Sequence, residues 1–97
     1  MRIVHREKIY RFAEKHTNAR KSLAIWQDVT EKAGWKNKME VLKDFPRAKM
    51  LKNNRARFEI VHNLYRLIAC IRYEEQIAEI RFIGTHAEYD RINPETI

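Results

Sequence analysis

The sequence has a single cysteine, Cys70. One thiol forms no intrachain disulfide and suggests no cysteine metal site. In the apolar run Leu67-Ile68-Ala69-Cys70-Ile71 it reads as a packed side chain. No apolar stretch approaches the roughly 20 residues that a membrane helix needs. The N-terminus shows no signal-peptide core. No membrane partner is therefore expected, and the cytoplasm is the expected compartment. Acidic residues are outnumbered: 13 Asp and Glu against 20 Lys and Arg leave a net charge of +7 and a pI near 9.8. Such an excess favours a polyanionic partner, either nucleic acid or an acidic protein. Glycine and proline are scarce, two of each, and they fall where elements are expected to stop.

With 97 residues the chain suits one domain, 1–97, and not two. Folding at this size buries about 60–65% of the unfolded surface, so one core is the limit. The apolar fraction is 44% and the charged fraction 34%. The apolar residues are periodic, which argues against disorder. The charge is uneven. Residues 1–49 hold 13 Lys and Arg against 6 Asp and Glu, whereas residues 50–97 hold 7 of each. Six of those seven later cations are Arg, whose planar fork of donors matches phosphate better than the point charge of Lys.

Residues 1–4 are β-branched enough for a short strand. From 5 to 16, Ile9, Phe12 and Ala13 recur at helical spacing with His16 completing the stripe. Asn18 is a good N-cap for a second helix over about 19–33. There Ala19, Leu23, Trp26, Thr30 and Ala33 form one stripe, widened by Ser22, Ile25 and Val29. Gly34 ends it as a left-handed cap. The tight junction predicts an antiparallel helical hairpin. Asn37-Lys38-Met39-Glu40 resembles a capping box and opens a short helix ending near Asp44, before Phe45-Pro46. Residues 46–55 read as a loop with some strand near 50–52. The period then changes from 3.6 to 2, which predicts strands at about 56–61, 65–73 and 76–83, the last ended by Gly84. Thr85-His86-Ala87-Glu88 is a second capping box opening a helix to about Ile92, stopped by Asn93-Pro94. Helices followed by an antiparallel meander make an α+β fold.

With Glu74-Glu75 as a two-residue turn, Ile71 faces Ala78, Ala69 faces Ile80 and Leu67 faces Phe82 on an apolar, helix-bearing face. Ile68 then faces Arg81 and Arg66 faces Ile83 on the other. With Asn63-Leu64 as a second such turn, Ile60 faces Leu67 and Phe58 faces Ala69 in the core, while Glu59 faces Ile68 and Arg57 faces Cys70. A longer loop shifts neighbours and keeps faces, whereas a one-residue slip puts Arg in the core. One sheet face thus gathers Arg57, Glu59, Arg66 and Arg81, with Arg66 and Arg81 diagonal neighbours about 7–8 Å apart. His86, Tyr89 and Asp90 share one side of the last helix at its rim. The set suits RNA cleavage, which needs a base for the attacking 2′-OH, an acid for the leaving 5′-oxygen and fixed cations for the phosphorane. Arg57, Arg66 and Arg81 are candidate phosphate ligands, His86 a candidate acid or base, and Glu59 or Tyr89 its partner. Each has a plain alternative: cross-strand pairing for Glu59, a solvated charge for Arg57, helix docking for Tyr89, an exposed ring for His86. His5, His16 and His62 read as structural, and Trp26 and Trp35 as core or interface anchors.

Several segments carry a family resemblance. They are Trp35-Lys36-Asn37, Phe45-Pro46, Asn53-Asn54-Arg55, Tyr65-Arg66-Leu67-Ile68 and the run Ile80-Arg81-Phe82-Ile83-Gly84-Thr85-His86-Ala87-Glu88-Tyr89-Asp90. Together they resemble the HigB toxins of the RelE-like superfamily over nearly the whole chain, the last run most specifically. The resemblance implies a RelE-like fold, with an N-terminal helical hairpin packed on a small antiparallel sheet and a short C-terminal helix. It implies ribosome-dependent cleavage of mRNA in the decoding site without metal or other cofactor, and neutralisation by a HigA-type antitoxin carrying a helix-turn-helix domain. Operator DNA is then met only through the antitoxin complex. It further implies phosphate contact for Arg66, catalytic parts for Arg81, His86 and Tyr89, and an RNA- or antitoxin-facing position for Asn53, Asn54 and Arg55. One departure is the turn before Tyr65-Arg66: family members often carry glycine there, and this chain has His62-Asn63-Leu64. Two other readings stay open, a same-fold toxin acting on a protein such as DNA gyrase and a non-enzymatic RNA- or ribosome-binding module.

Overall fold

The computed structural model describes residues 1–97. Its elements in order are β1 (Arg2–Val4), α1 (Arg6–Lys15), a 3-10 turn (Thr17–Ala19), α2 (Arg20–Lys32), α3 (Lys38–Asp44), β2 (Lys49–Met50), β3 (Arg55–Ile60), β4 (Tyr65–Arg72), β5 (Ile77–Thr85) and α4 (His86–Tyr89). The strands form one sheet in the order β1-β5-β4-β3-β2. Every neighbouring pair is antiparallel except β1 and β5, which run parallel. A parallel pair needs a long connection, and everything from α1 to β4 lies between these two strands. This is the α+β plan expected, helices on one face of a small sheet, with β1 adding a parallel pair to the antiparallel meander.

The helices cover one sheet face because their stripes match it. Ile9 and Phe12 of α1 and Leu23, Trp26 and Thr30 of α2 are buried with Trp35, Val41, Phe58, Ile60, Leu67, Ala69, Ile71, Ala78 and Ile80 in one core. Ile25, expected to widen the stripe, is instead 56% exposed. Phe45 packs edge-on to Phe58 at 5.0 Å and to Trp35 at 6.0 Å, joining the α3 end to the core.

Three local expectations change. Asn18 does not cap α2; the N-cap is Ala19, with no side-chain bond, because Asn18 Oδ1 accepts from the Tyr65 hydroxyl at 2.9 Å. Gly34 is not left-handed. The chain leaves α2 extended at Ala33, and the Met1 amine bonds the α2-end carbonyls of Thr30, Glu31 and Ala33, groups that a left-handed cap would otherwise satisfy. At α3, Asn37 accepts from the Glu40 amide at 3.1 Å, but Glu40 bonds the amide of Lys36 rather than that of Asn37.

Register carries the larger corrections. In β3–β4 the partners are Ile60↔Tyr65, Glu59↔Arg66, Phe58↔Leu67 and Arg57↔Ile68, two residues from those expected of a two-residue turn. The turn spans Val61–Leu64, so the faces survive and the neighbours change. In β4–β5, Ile71↔Ala78 and Ala69↔Ile80 stand as expected, but the next pairs are Ile68↔Phe82, Leu67↔Ile83 and Arg66↔Gly84. Arg81 is the extra residue of a β-bulge. The bulge turns Phe82 from the core face to the Arg66 face and brings Ile83 against the core. Gly84 consequently lies within β5, which ends at Thr85.

Candidate functional site

The face opposite the helices is organised around Tyr89. Thr85 starts α4 with the full capping box: its hydroxyl accepts from the Glu88 amide at 3.2 Å, and the Glu88 carboxylate accepts from the Thr85 amide at 2.9 Å. That amide bond is the main reason the Glu88 carboxyl is held below its ordinary value. The helix ends at Tyr89, short of the expected Ile92. Tyr89 stands edge-on to Phe82 at 6.2 Å, a contact that exists because the bulge turned Phe82 to this face. Gly84 makes the space: a Cβ there would lie 2.5 Å from the Phe82 ring and 3.1 Å from Glu88.

Two arginines approach the phenol ring. Arg66 Cζ lies 4.7 Å from the ring centroid and Arg57 Cζ 5.7 Å. Arg57 Nη1 donates to the Tyr89 oxygen at 3.4 Å. Neither guanidinium has a salt bridge, since every ion pair in the molecule lies elsewhere. Arg66 Nε donates to Asn63 Oδ1 at 3.3 Å, and His86 Nε2 bonds the Asn63 carbonyl. A carbonyl only accepts, so Nε2 carries the proton and a neutral ring keeps its lone pair on Nδ1. Asn63, read from sequence only as a turn residue, thereby holds both a cation and the imidazole. The turn that presents it is left-handed at Val61 (φ 52°) and His62 (φ 57°), the conformation glycine adopts without cost. It is pinned where Ser22 Oγ accepts from the Val61 amide at 3.0 Å.

Glu59 lies across from Arg66 in the strand pair, but its nearest cation is Arg47, at 4.0 Å. The remaining candidates sit apart from Tyr89. Arg81 does not neighbour Arg66 diagonally, because the bulge carries it toward Glu79, to which it donates at 3.1 Å, and to the Ile97 carbonyl at 3.0 Å. Glu79 is nearly buried and also holds Arg72 at 2.9 Å and His5 at 3.3 Å. Arg55 donates to the same Ile97 oxygen at 2.6 Å. Asn53 and Asn54 are both left-handed, φ 59° and 60°, and form the β2–β3 turn, where the Asn53 side chain donates to the Glu95 carbonyl at 2.9 Å. The candidates thus separate into Arg57, Arg66, His86 and Tyr89, with Glu59 alongside, and a second group of Asn53, Arg55 and Arg81 under residues 95–97. No three His, Cys, Asp or Glu side chains converge to hold a metal ion. No helix is long and apolar enough to cross a membrane.

Chemically, the first group offers two unpaired planar cations, a phenol whose O–H is free to donate and an oriented imidazole on one open surface. Such a set suits an anion that gains charge during reaction. Residues 19–92 match the model of the HigB toxin family, described as the RelE-like toxic component of a toxin–antitoxin system. The chain belongs to the HigB toxin family. No curated protein matches it. The matched span runs through α4, contains every member of both groups and leaves β1 and α1 outside. As the toxic half of such a pair, a HigB family member has an antitoxin as its counterpart.

Proposed function

We propose that this HigB family toxin is a ribosome-dependent mRNA endonuclease, and the observation carrying that reading is the pair of guanidinium groups without salt bridges, Arg57 and Arg66, gathered at the Tyr89 ring. Arg66 and Arg57 hold the scissile phosphate, Arg66 with its fork oriented by Asn63. His86 accepts the 2′-OH proton at Nδ1, as the tautomer set by the Asn63 carbonyl requires. The 2′-oxygen attacks phosphorus, the P–O5′ bond breaks, and the Tyr89 hydroxyl protonates the departing 5′-oxygen. The products are a 2′,3′-cyclic phosphate and a 5′-hydroxyl. The guanidinium pair stabilises the extra negative charge of the phosphorane, the kind of interaction whose loss costs about 10²–10³ in rate. The net charge of +7 fits docking to ribosomal RNA, with the salt sensitivity of phosphate contacts. The antitoxin in this reading is HigA-type with a helix-turn-helix domain, and operator DNA is bound only through the complex.

The test is primer extension on a reporter mRNA in a reconstituted translation system, with and without ribosomes. Cuts are expected only with ribosomes, and are lost in Tyr89→Phe and His86→Ala. Cuts that persist in both variants refute the assignment of acid and base. Growth arrest without any cut shifts the function to a protein target such as DNA gyrase.

A further inference from the structure

A second concavity opens beside the Tyr89 surface, of about 390 Å³ and lined by Asp44, Phe45, Arg47, Phe58, Glu59 and His62 among others. This volume falls in the range of roughly 300–1,000 Å³ found for small-molecule sites. Its Glu59 side adjoins that surface, because Glu59 is the strand partner of Arg66 and Arg66 stacks on Tyr89, while Phe58 lines it from the core side. Two features show what it would hold. Its back wall is aromatic: Phe45 packs against Phe58, Trp35 and Trp26. Its rim is rich in acceptors. Asp44 Oδ2 accepts from the Trp35 indole at 2.9 Å, which orients the carboxylate and leaves Oδ1 without a protein partner. Glu59 pairs only with Arg47, at 4.0 Å. His62 reaches the rim from the left-handed turn, and non-glycine residues held in that region concentrate at functional sites.

We propose that this pocket receives one unpaired nucleobase next to the phosphate held by Arg57 and Arg66, and that it selects bases carrying an exocyclic amino group; the proposal rests on the ribonuclease reading above. An extruded base stacks on an aromatic face and is read along its edge. Carboxylates accept from amino groups such as the cytosine N4. Adenine, cytosine and guanine each offer one, and uracil offers none. Arg47 supplies the complementary donor for a ring nitrogen or carbonyl. Two carboxylates in a protein of net charge +7 are out of place on a surface that only grips phosphate, and in place where a neutral base must be told from its neighbours.

The experiment has two arms. In the first, wild type, Asp44→Asn and Arg47→Ala are compared by sequencing all cut sites in a translated mRNA pool. Asparagine still accepts from Trp35, so the wall survives while the carboxylate is lost. The wild type should disfavour uracil about tenfold at one position beside the cut, and both variants should flatten that preference. In the second arm, AMP, CMP, GMP and UMP are titrated against the free protein while the Trp35 indole resonance is followed. The first three should move it and UMP should not. Cuts whose base profile is unchanged in both variants overturn the pocket and leave the ribonuclease reading standing. If the wild type makes no cuts, the ribonuclease reading fails. The nucleotide arm then decides the pocket alone: selective shifts uphold a base site, and no shift overturns it. A Trp35 shift produced by the antitoxin and by none of the nucleotides overturns the proposal and makes this a protein-docking site.

Discussion

Replacing Arg66 by Met should separate stability from activity. The alkyl stem is retained, so what is lost is the charge above Tyr89 and the bond to Asn63. A cation over a ring at 4.7 Å on a partly open surface contributes about 0.5–1 kcal/mol. The 3.3 Å bond to the exposed Asn63 side chain adds about 0.5 kcal/mol. Because Arg66 has no carboxylate partner, no buried charge is orphaned. The expected cost is therefore about 1–1.5 kcal/mol, or a fall in Tm of about 5–10 °C for a chain of this length. In single-turnover cleavage on programmed ribosomes, loss of a cation that stabilises the phosphorane should slow the reaction about 10²–10³-fold. Arg66→Lys keeps the charge without the fork and should recover part of that loss. Arg81→Met is the informative contrast. Arg81 is tied to the nearly buried Glu79, so it should cost more stability, about 1–3 kcal/mol, with a smaller effect on the chemical step. Urea unfolding beside the cleavage assay measures both. A stability loss above about 3 kcal/mol for Arg66→Met, or cleavage within about threefold of wild type, refutes the reasoning, since the first marks a structural residue and the second a spectator.

Gly84→Ala forces a methyl to within 2.5 Å of the Phe82 ring; it should destabilise by about 1–3 kcal/mol and perturb the Tyr89 ring resonances, and unchanged spectra would show that the ring has room to move. Asn54 has φ 60°, so Asn54→Val should cost about 1–2 kcal/mol while Asn54→Gly stays near neutral, as thermal unfolding will show. Glu88 has its carboxyl lowered from an ordinary value of 4.5 by the Thr85 amide. A lowered folded-state value means its contribution is complete above about pH 4.5 and is lost as pH falls through the depressed value. Glu88→Gln keeps a capping acceptor and should therefore show a flatter stability curve below about pH 4.5; an identical acid limb in both proteins would contradict the assignment.

Much of the α+β plan was legible because its signals are local. The change from a 3.6- to a 2-residue period after Arg55, the capping box at Thr85 and the stripe Leu23-Trp26-Thr30 each depend on neighbours in sequence. Face assignment in β3 and β4 was equally local: a strand alternates whatever its partner, so Arg57, Glu59 and Arg66 lie opposite the helices although the Val61–Leu64 turn is two residues longer than a two-residue hairpin. Local signals failed where a distant group supplied the missing bond. Asn18 looked like a cap and was claimed by Tyr65. Gly34 looked like a helix stop, but the Met1 amine bonds the same carbonyls.

The sequence by itself determined the element types, the faces of β3 and β4 and the run from Ile80 to Asp90 on which the family resemblance most rests. Periodicity, capping chemistry and side-chain identity belong to the chain before it folds. Only the tertiary structure decided which charged residues meet. The bulge at Arg81 sends that arginine to Glu79 and gives Phe82 to Tyr89, and the left-handed Val61-His62 turn brings Asn63 to Arg66 and His86. Both are matters of register between strands, set by how two segments pair and pack, and neither segment alone carries that information.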